Sequence, residues 1–100
     1  MNTINQRSMK KGAANASKLL KTLANPDRLL ILCQLVGEER SAGELWKKST
    51  LSQSAFSQHL AVLRRNKIVT TRKVSHTIYY SLANDNAARV LELMYELYCG

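Results

Sequence analysis

The stretch Ser52-Gln53-Ser54-Ala55-Phe56-Ser57-Gln58-His59-Leu60-Ala61-Val62-Leu63-Arg64-Arg65 decides the fold. Phe56, Leu60 and Leu63 recur at helical spacing and form one apolar stripe. Opposite that stripe lie Gln53, Ser54, Ser57, Gln58 and Ala61, a face of short or amide side chains. Ser52 is the expected N-cap, and Leu51 and Phe56 stand where a hydrophobic staple pins the incoming chain. Arg64 and Arg65 fill the last turn, where cations suit the helix dipole. Asn66 is expected to adopt the left-handed conformation that ends the helix.

Working outward, Ser41-Ala42-Gly43-Glu44 has the capping-box pattern and opens a short helix through Leu45 and Trp46, ending near Ser49. Only Ser49 to Leu51 separate it from the next start, so the pair reads as a helix-turn-helix. Upstream, Asn25-Pro26-Asp27 supplies a cap, a first-turn proline and an acid at the positive end of the dipole. The helix it starts runs through Leu29, Leu30, Ile31, Leu32, Leu35 and Val36 to Gly37. It is apolar nearly all round and is expected to be central. A helix over Ala13 to Ala24 precedes it. Downstream, Ile68 to Val74 and Thr77 to Leu82 are rich in β-branched and aromatic residues, with Ser75-His76 as a short turn, which predicts a hairpin. Asn84-Asp85 then opens a last helix. Its Val90, Leu91, Leu93, Met94, Leu97 and Tyr98 are too much apolar surface for the outside of a small monomer. They predict a dimer surface shared with the first helix. The fold class expected is therefore mostly α with a small β-hairpin, a winged helix-turn-helix homodimer. Residues 1–12 are expected to be a flexible N-terminal segment, and residues 13–100 the DNA-binding and dimerisation domain.

One hundred residues make one domain. The formal charge is +8, from 15 basic and 7 acidic residues. It is uneven: between Leu45 and Asn84 there is no acid, while Lys47, Lys48, Arg64, Arg65, Lys67, Arg72 and Lys73 give +7. That block is an electrostatic footprint for a polyanion. Duplex DNA needs a rigid helix for the major groove flanked by cations. Gln53, Ser54, Ser57 and Gln58 can read base edges, since Gln pairs bidentately with adenine and Ser bonds several edges. Arg64, Arg65, Lys67, Arg72 and Lys73 are placed for phosphates or the minor groove. His59 reads either as a base contact or as a half-buried, hydrogen-bonded histidine. No apolar run is long enough for a membrane span, and Met1 to Gly12 has no apolar core of a secretory signal, so a cytoplasmic site is expected. There is no Gly-rich phosphate loop and no carboxylate or Cys-His pair at usable spacing, so an enzyme is not expected. A nucleoid or RNA-binding architectural protein is a competing reading. It predicts little preference among duplex sequences.

Ser52 to Ala61 resembles the recognition helix of ArsR/SmtB bacterial repressors, and so does Leu23-Ala24-Asn25-Pro26-Asp27-Arg28-Leu29 before it. The resemblance covers about Leu19 to Gly100. It implies a winged-helix homodimer that binds double-stranded operator DNA and is altered by an inducer. Metal-sensing members carry cysteines in the short helix before the recognition helix, or an Asp and His set on the last helix. Here Glu44-Leu45-Trp46-Lys47-Lys48 has no cysteine, and Asp85, Arg89, Glu92 and Glu96 have no histidine beside them. No metal and no cofactor is therefore expected.

Two cysteines remain. Read from spacing alone, Cys33 is a buried helical cysteine and Cys99 a terminal thiol. Ile31-Leu32-Cys33 together with Leu97-Tyr98-Cys99 resembles the HlyU/BigR/SqrR-like subgroup of the family. There a cysteine in the second helix and one in the last form the sensor. The resemblance implies reactive sulfur species as inducers and a disulfide or polysulfide bridge between Cys33 and Cys99. It also implies target genes of virulence or sulfide detoxification. The alternative is a regulator of the same fold that responds to a metal or to nothing, with structural cysteines.

Overall fold

The computed structural model describes residues 5–100. The elements run α1 (Gln6–Leu23), α2 (Pro26–Cys33), β1 (Arg40–Ser41), α3 (Ala42–Lys47), α4 (Gln53–Arg65), β2 (Val69–Val74), β3 (Thr77–Leu82) and α5 (Asp85–Tyr98). Each helix starts on the side chain that local chemistry selects. Asn25 accepts from the N–H groups of Asp27 and Arg28, Ser52 from that of Ala55, and Asn84 from that of Ala87. At Ser41 the capping box is reciprocal: Ser41 accepts from the Glu44 N–H at 3.1 Å, and Glu44 accepts from the Ser41 N–H at 3.0 Å.

The core gathers one face of every helix and the inner face of the sheet. Leu32, Leu35, Leu45, Leu63 and Leu91 are fully buried and meet Leu23, Ile31, Phe56, Leu60, Ile68, Val69, Tyr80 and Ala87. Arg28 joins α1 to α2: its Nε donates to the Thr22 carbonyl at 2.6 Å and its Nη2 to that of Lys21 at 3.3 Å. These carbonyls end α1 without helical partners, so the guanidinium satisfies them and fixes the bend.

Several expectations change. Residues 6–12 continue α1, which begins at Gln6 with Asn5 as cap and not at Ala13. The part of the N-terminal segment before Asn5 lies outside the described residues. α2 ends at Cys33, and its last apolar residues, Leu35 and Val36, sit in the turn that Gly37 closes with φ 73°. Nor is α2 apolar and buried on every side, because Leu30 is 65% exposed. The left-handed residue after α4 is Lys67, with φ 58°, while Asn66 has φ −87°.

The hairpin is part of a three-stranded antiparallel sheet ordered β1-β3-β2. β2 pairs β3 from Val69↔Leu82 to Val74↔Thr77, across a turn in which Ser75 takes φ 56°. β1 adds two pairs, Arg40↔Tyr80 and Ser41↔Tyr79. It supports only the base of the hairpin, so the tip beyond Tyr79 is a two-stranded ribbon.

Candidate nucleic-acid interface and cysteine pair

α4 turns Phe56, Leu60 and Leu63 into the core and leaves Gln53, Ser54, Ser57, Gln58 and Ala61 exposed. Trp46 of α3 meets Phe56 edge to face, with centroids 5.1 Å apart at 65°, so the two helices are locked at a fixed angle. The outward face is therefore a rigid row of amides and hydroxyls, able to donate and to accept.

Cations gather at the C-terminal end of that row. A groove between α4 and the sheet is lined by Ser57, Ala61, Arg64, Arg65 and Tyr80. A second groove is lined by Arg64, Lys67, Val69, Thr70 and Thr71. Arg64 borders both, and no acid lines either one. A concave surface of this kind suits an anionic backbone, with hydroxyls beside the charges. Lys67 holds its charge there at a backbone position that favours glycine. Lys73 is exposed on β2.

Two candidates sit differently. Arg72 is occupied by protein: its Nε and Nη2 each donate to a Glu39 carboxylate oxygen at 2.7 Å, and its guanidinium lies 4.7 Å from the centre of the Tyr79 ring. That pairing holds the Glu39 carboxyl below the usual carboxylate range. His59 faces α2, with Nε2 4.0 Å from an Asp27 oxygen and its side chain 19% exposed. The partners Glu39 and Asp27 are invisible to pattern reading. Glu39 lies 33 residues from Arg72 and just outside the acid-free block.

The cysteines come from opposite ends of the chain. Cys33 is the last residue of α2 and half-buried; Cys99 caps α5 and is exposed. α2 and α5 pack together, and both thiols are free. Burial pushes the Cys33 thiol up, and the negative charge of the nearby Cys99 pushes it the same way. Among the described residues, no three His, Cys, Asp or Glu side chains group so as to hold a metal ion.

An apolar face runs along α5. Leu93 and Leu97, one turn apart, are each about half exposed or more, and Leu93 borders a groove that α5 shares with Gly12, Asn15, Ala16 and Leu19 of α1. No helix among the described residues is long and apolar enough to cross a membrane.

Comparison with known proteins agrees with this geometry. The model for "Bacterial regulatory protein, arsR family" matches residues 25–71, which span α2 to the middle of β2. The transcriptional activator HlyU of Vibrio cholerae is 48% identical over 96% of this chain and 89% of its own. The biofilm growth-associated repressor of Agrobacterium fabrum is 46% identical over 93% and 80%. The solved structure of reduced HlyU from Vibrio cholerae superposes with a TM-score of 0.90, at 48% identity, over 94% of this chain and 99% of that one. With a winged helix, an outward polar face on the second helix of its helix-turn-helix and relatives this similar over nearly their whole length, the chain belongs to the arsR family of DNA-binding transcriptional regulators, in its HlyU/BigR-like subgroup.

Proposed function

We propose that this regulator is a homodimer whose hold on operator DNA is modulated by oxidation of Cys33 and Cys99 by reactive sulfur species or other oxidants. The carrying observation is the thiol pair itself: two free cysteines from helices that pack together, one exposed and one shielded, with the charge of the first felt at the second. That a relative was solved in a form described as reduced supports the same reading.

Exposure favours Cys99 as the thiol that meets the oxidant. Its thiolate takes the terminal sulfur of a persulfide, releasing a thiol and leaving Cys99 as a persulfide. Cys33 then attacks the sulfur bound to Cys99, the bridge forms, and hydrogen sulfide leaves. A second persulfide consumed along the way leaves one more sulfur in the bridge. With peroxide the two thiols lose two hydrogens, and water is formed.

The recognition reading assigns Gln53, Ser54, Ser57 and Gln58 to base edges and Arg64, Arg65, Lys67 and Lys73 to phosphates. The dimer reading joins two copies through α1 and α5, which covers Leu93 and Leu97. A two-fold dimer must present its recognition helices about 34–36 Å apart, one turn of DNA. A bridge between α2 and α5 biases how the dimer helix packs on the core and so shifts that separation. A coupling of ~1–3 kcal/mol changes affinity about 5–150-fold. The names of the relatives carry both signs, activator and repressor. A protein that occupies an operator acts in either sense, according to what it displaces.

The test is intact mass together with DNA affinity on the same samples, after exposure to a persulfide and, separately, to peroxide. Two hydrogens lost, with or without whole sulfur units added, together with altered affinity, is the expected result. Cys33→Ser and Cys99→Ser should abolish both changes. A double variant that responds as the parent does refutes the switch. Response to zinc or copper instead would turn the reading to a metal-responsive regulator. Leu97→Glu should give monomers in sedimentation.

A further inference from the structure

Arg72 was placed by its sequence among the phosphate ligands, but its geometry points elsewhere. In the sheet, Arg72 of β2, Tyr79 of β3 and Ser41 of β1 lie in one cross-strand row. Side chains in such a row share a face, and so does the residue two positions before Ser41, which is Glu39. The Arg72 side chain therefore reaches across Tyr79 of the middle strand and ends in a bidentate pair with Glu39 at the far edge. The neighbouring Arg40 is engaged with Glu38 at 2.7 Å and Glu44 at 3.5 Å, which leaves Glu39 to Arg72.

The row is the last one that has three strands. β1 pairs with Tyr80 and Tyr79 and with nothing beyond, so Lys73 to Ile78 project as a free ribbon. A two-stranded ribbon is marginal alone and twists more than a wider sheet. The direction of its tip is thus set where the third strand stops.

We propose that the Glu39–Arg72 clamp sets the angle of the wing on DNA, so that Arg72 is a positioning residue and not a phosphate ligand. This rests on the reading that the wing touches DNA, which Lys73→Ala tests separately. A planar fork meeting two carboxylate oxygens holds an angle, whereas a lysine there is a point charge on a flexible stem.

The experiment uses the full reduced chain and a duplex selected by the parent from a randomised pool. Affinity is measured across a range of salt for Glu39→Gln, Arg72→Lys, Arg72→Gln, the Glu39→Gln, Arg72→Lys double variant and Lys73→Ala. Hydrogen exchange is followed in the wing and in α4. Glu39→Gln and Arg72→Lys should each weaken binding several-fold, with an unchanged salt slope, faster exchange only in the wing, and no further loss in the double variant. A phosphate ligand predicts the opposite pattern. Glu39→Gln would strengthen binding, Arg72→Lys would keep it, and Arg72→Gln would lower the slope by about 0.9 for each phosphate no longer neutralised. Any of these overturns the proposal, as does loss of protection throughout α4, which would mark a clamp that only stabilises the fold. If Lys73→Ala changes neither affinity nor slope, the wing is off the DNA and the reading beneath the proposal falls with it.

Discussion

Oxidation should stabilise this protein by an amount the structure bounds. A bridge from Cys33 to Cys99 closes a loop of 66 residues, by subtraction of the two positions. Loop-closure entropy for that length is worth about 4 kcal/mol at room temperature. The offset comes from the end of α5, where the N–H groups of Cys99 and Gly100 both donate to the Tyr95 carbonyl, at 2.7 and 2.9 Å. If the chain end unwinds to reach Cys33, those bonds are broken at a cost of ~1 kcal/mol each. The net gain is therefore about 2–4 kcal/mol. For a domain of this size that corresponds to a rise in Tm of roughly 10–30 °C. The assay is guanidinium unfolding of reduced and oxidised protein at one fixed protein concentration, because dimer formation makes stability concentration-dependent. The Cys33→Ser, Cys99→Ser double variant serves as control. An oxidised protein no more stable than the reduced one, or a bridge found between chains on a non-reducing gel, would refute the reasoning.

Further outcomes follow from the same geometry. Gln53→Ala or Ser57→Ala should cost ~1–3 kcal/mol at a cognate site and relax base preference at one position, read by competition among variant duplexes. Lys67→Gly should stabilise the fold by about 1 kcal/mol, because glycine takes φ 58° without the side-chain clash, yet it should weaken DNA binding and lower the salt slope. Alkylation of Cys33 should accelerate as pH rises beyond the range where an ordinary thiol has already ionised, since burial and Cys99 both hold its pKa up. Removing Cys99 takes away the second cause, so Cys33 in Cys99→Ser should react faster than in the parent at the same pH. The sign for stability is opposite to that for reactivity. The folded state keeps the Cys33 proton more tightly than the unfolded chain, so its contribution is full below the ordinary thiol value and is lost as pH rises through the folded one.

Much of the fold was legible because it is decided locally. Asn25, Ser41, Ser52 and Asn84 each bond an N–H within three residues, so a cap can be read from a short window. Phe56, Leu60 and Leu63 are buried as their spacing requires, and that burial puts Gln53, Ser54, Ser57 and Gln58 outside. The acid-free block likewise shows its partner class without any structure, because net charge acts over many residues at once.

What the chain order hides is which distant group a side chain meets. The helix-turn-helix, the hairpin and the outward polar face of α4 can all be read from short windows of the chain. Packing between distant elements is what holds Arg72 on Glu39, turns His59 toward Asp27, braces the wing with a third strand, and brings the helices of Cys33 and Cys99 together. The reason is physical. Caps and amphipathic faces depend on neighbours a few residues away, whereas ion pairs across a sheet and burial at a helix end depend on register and packing between elements, which no short window contains.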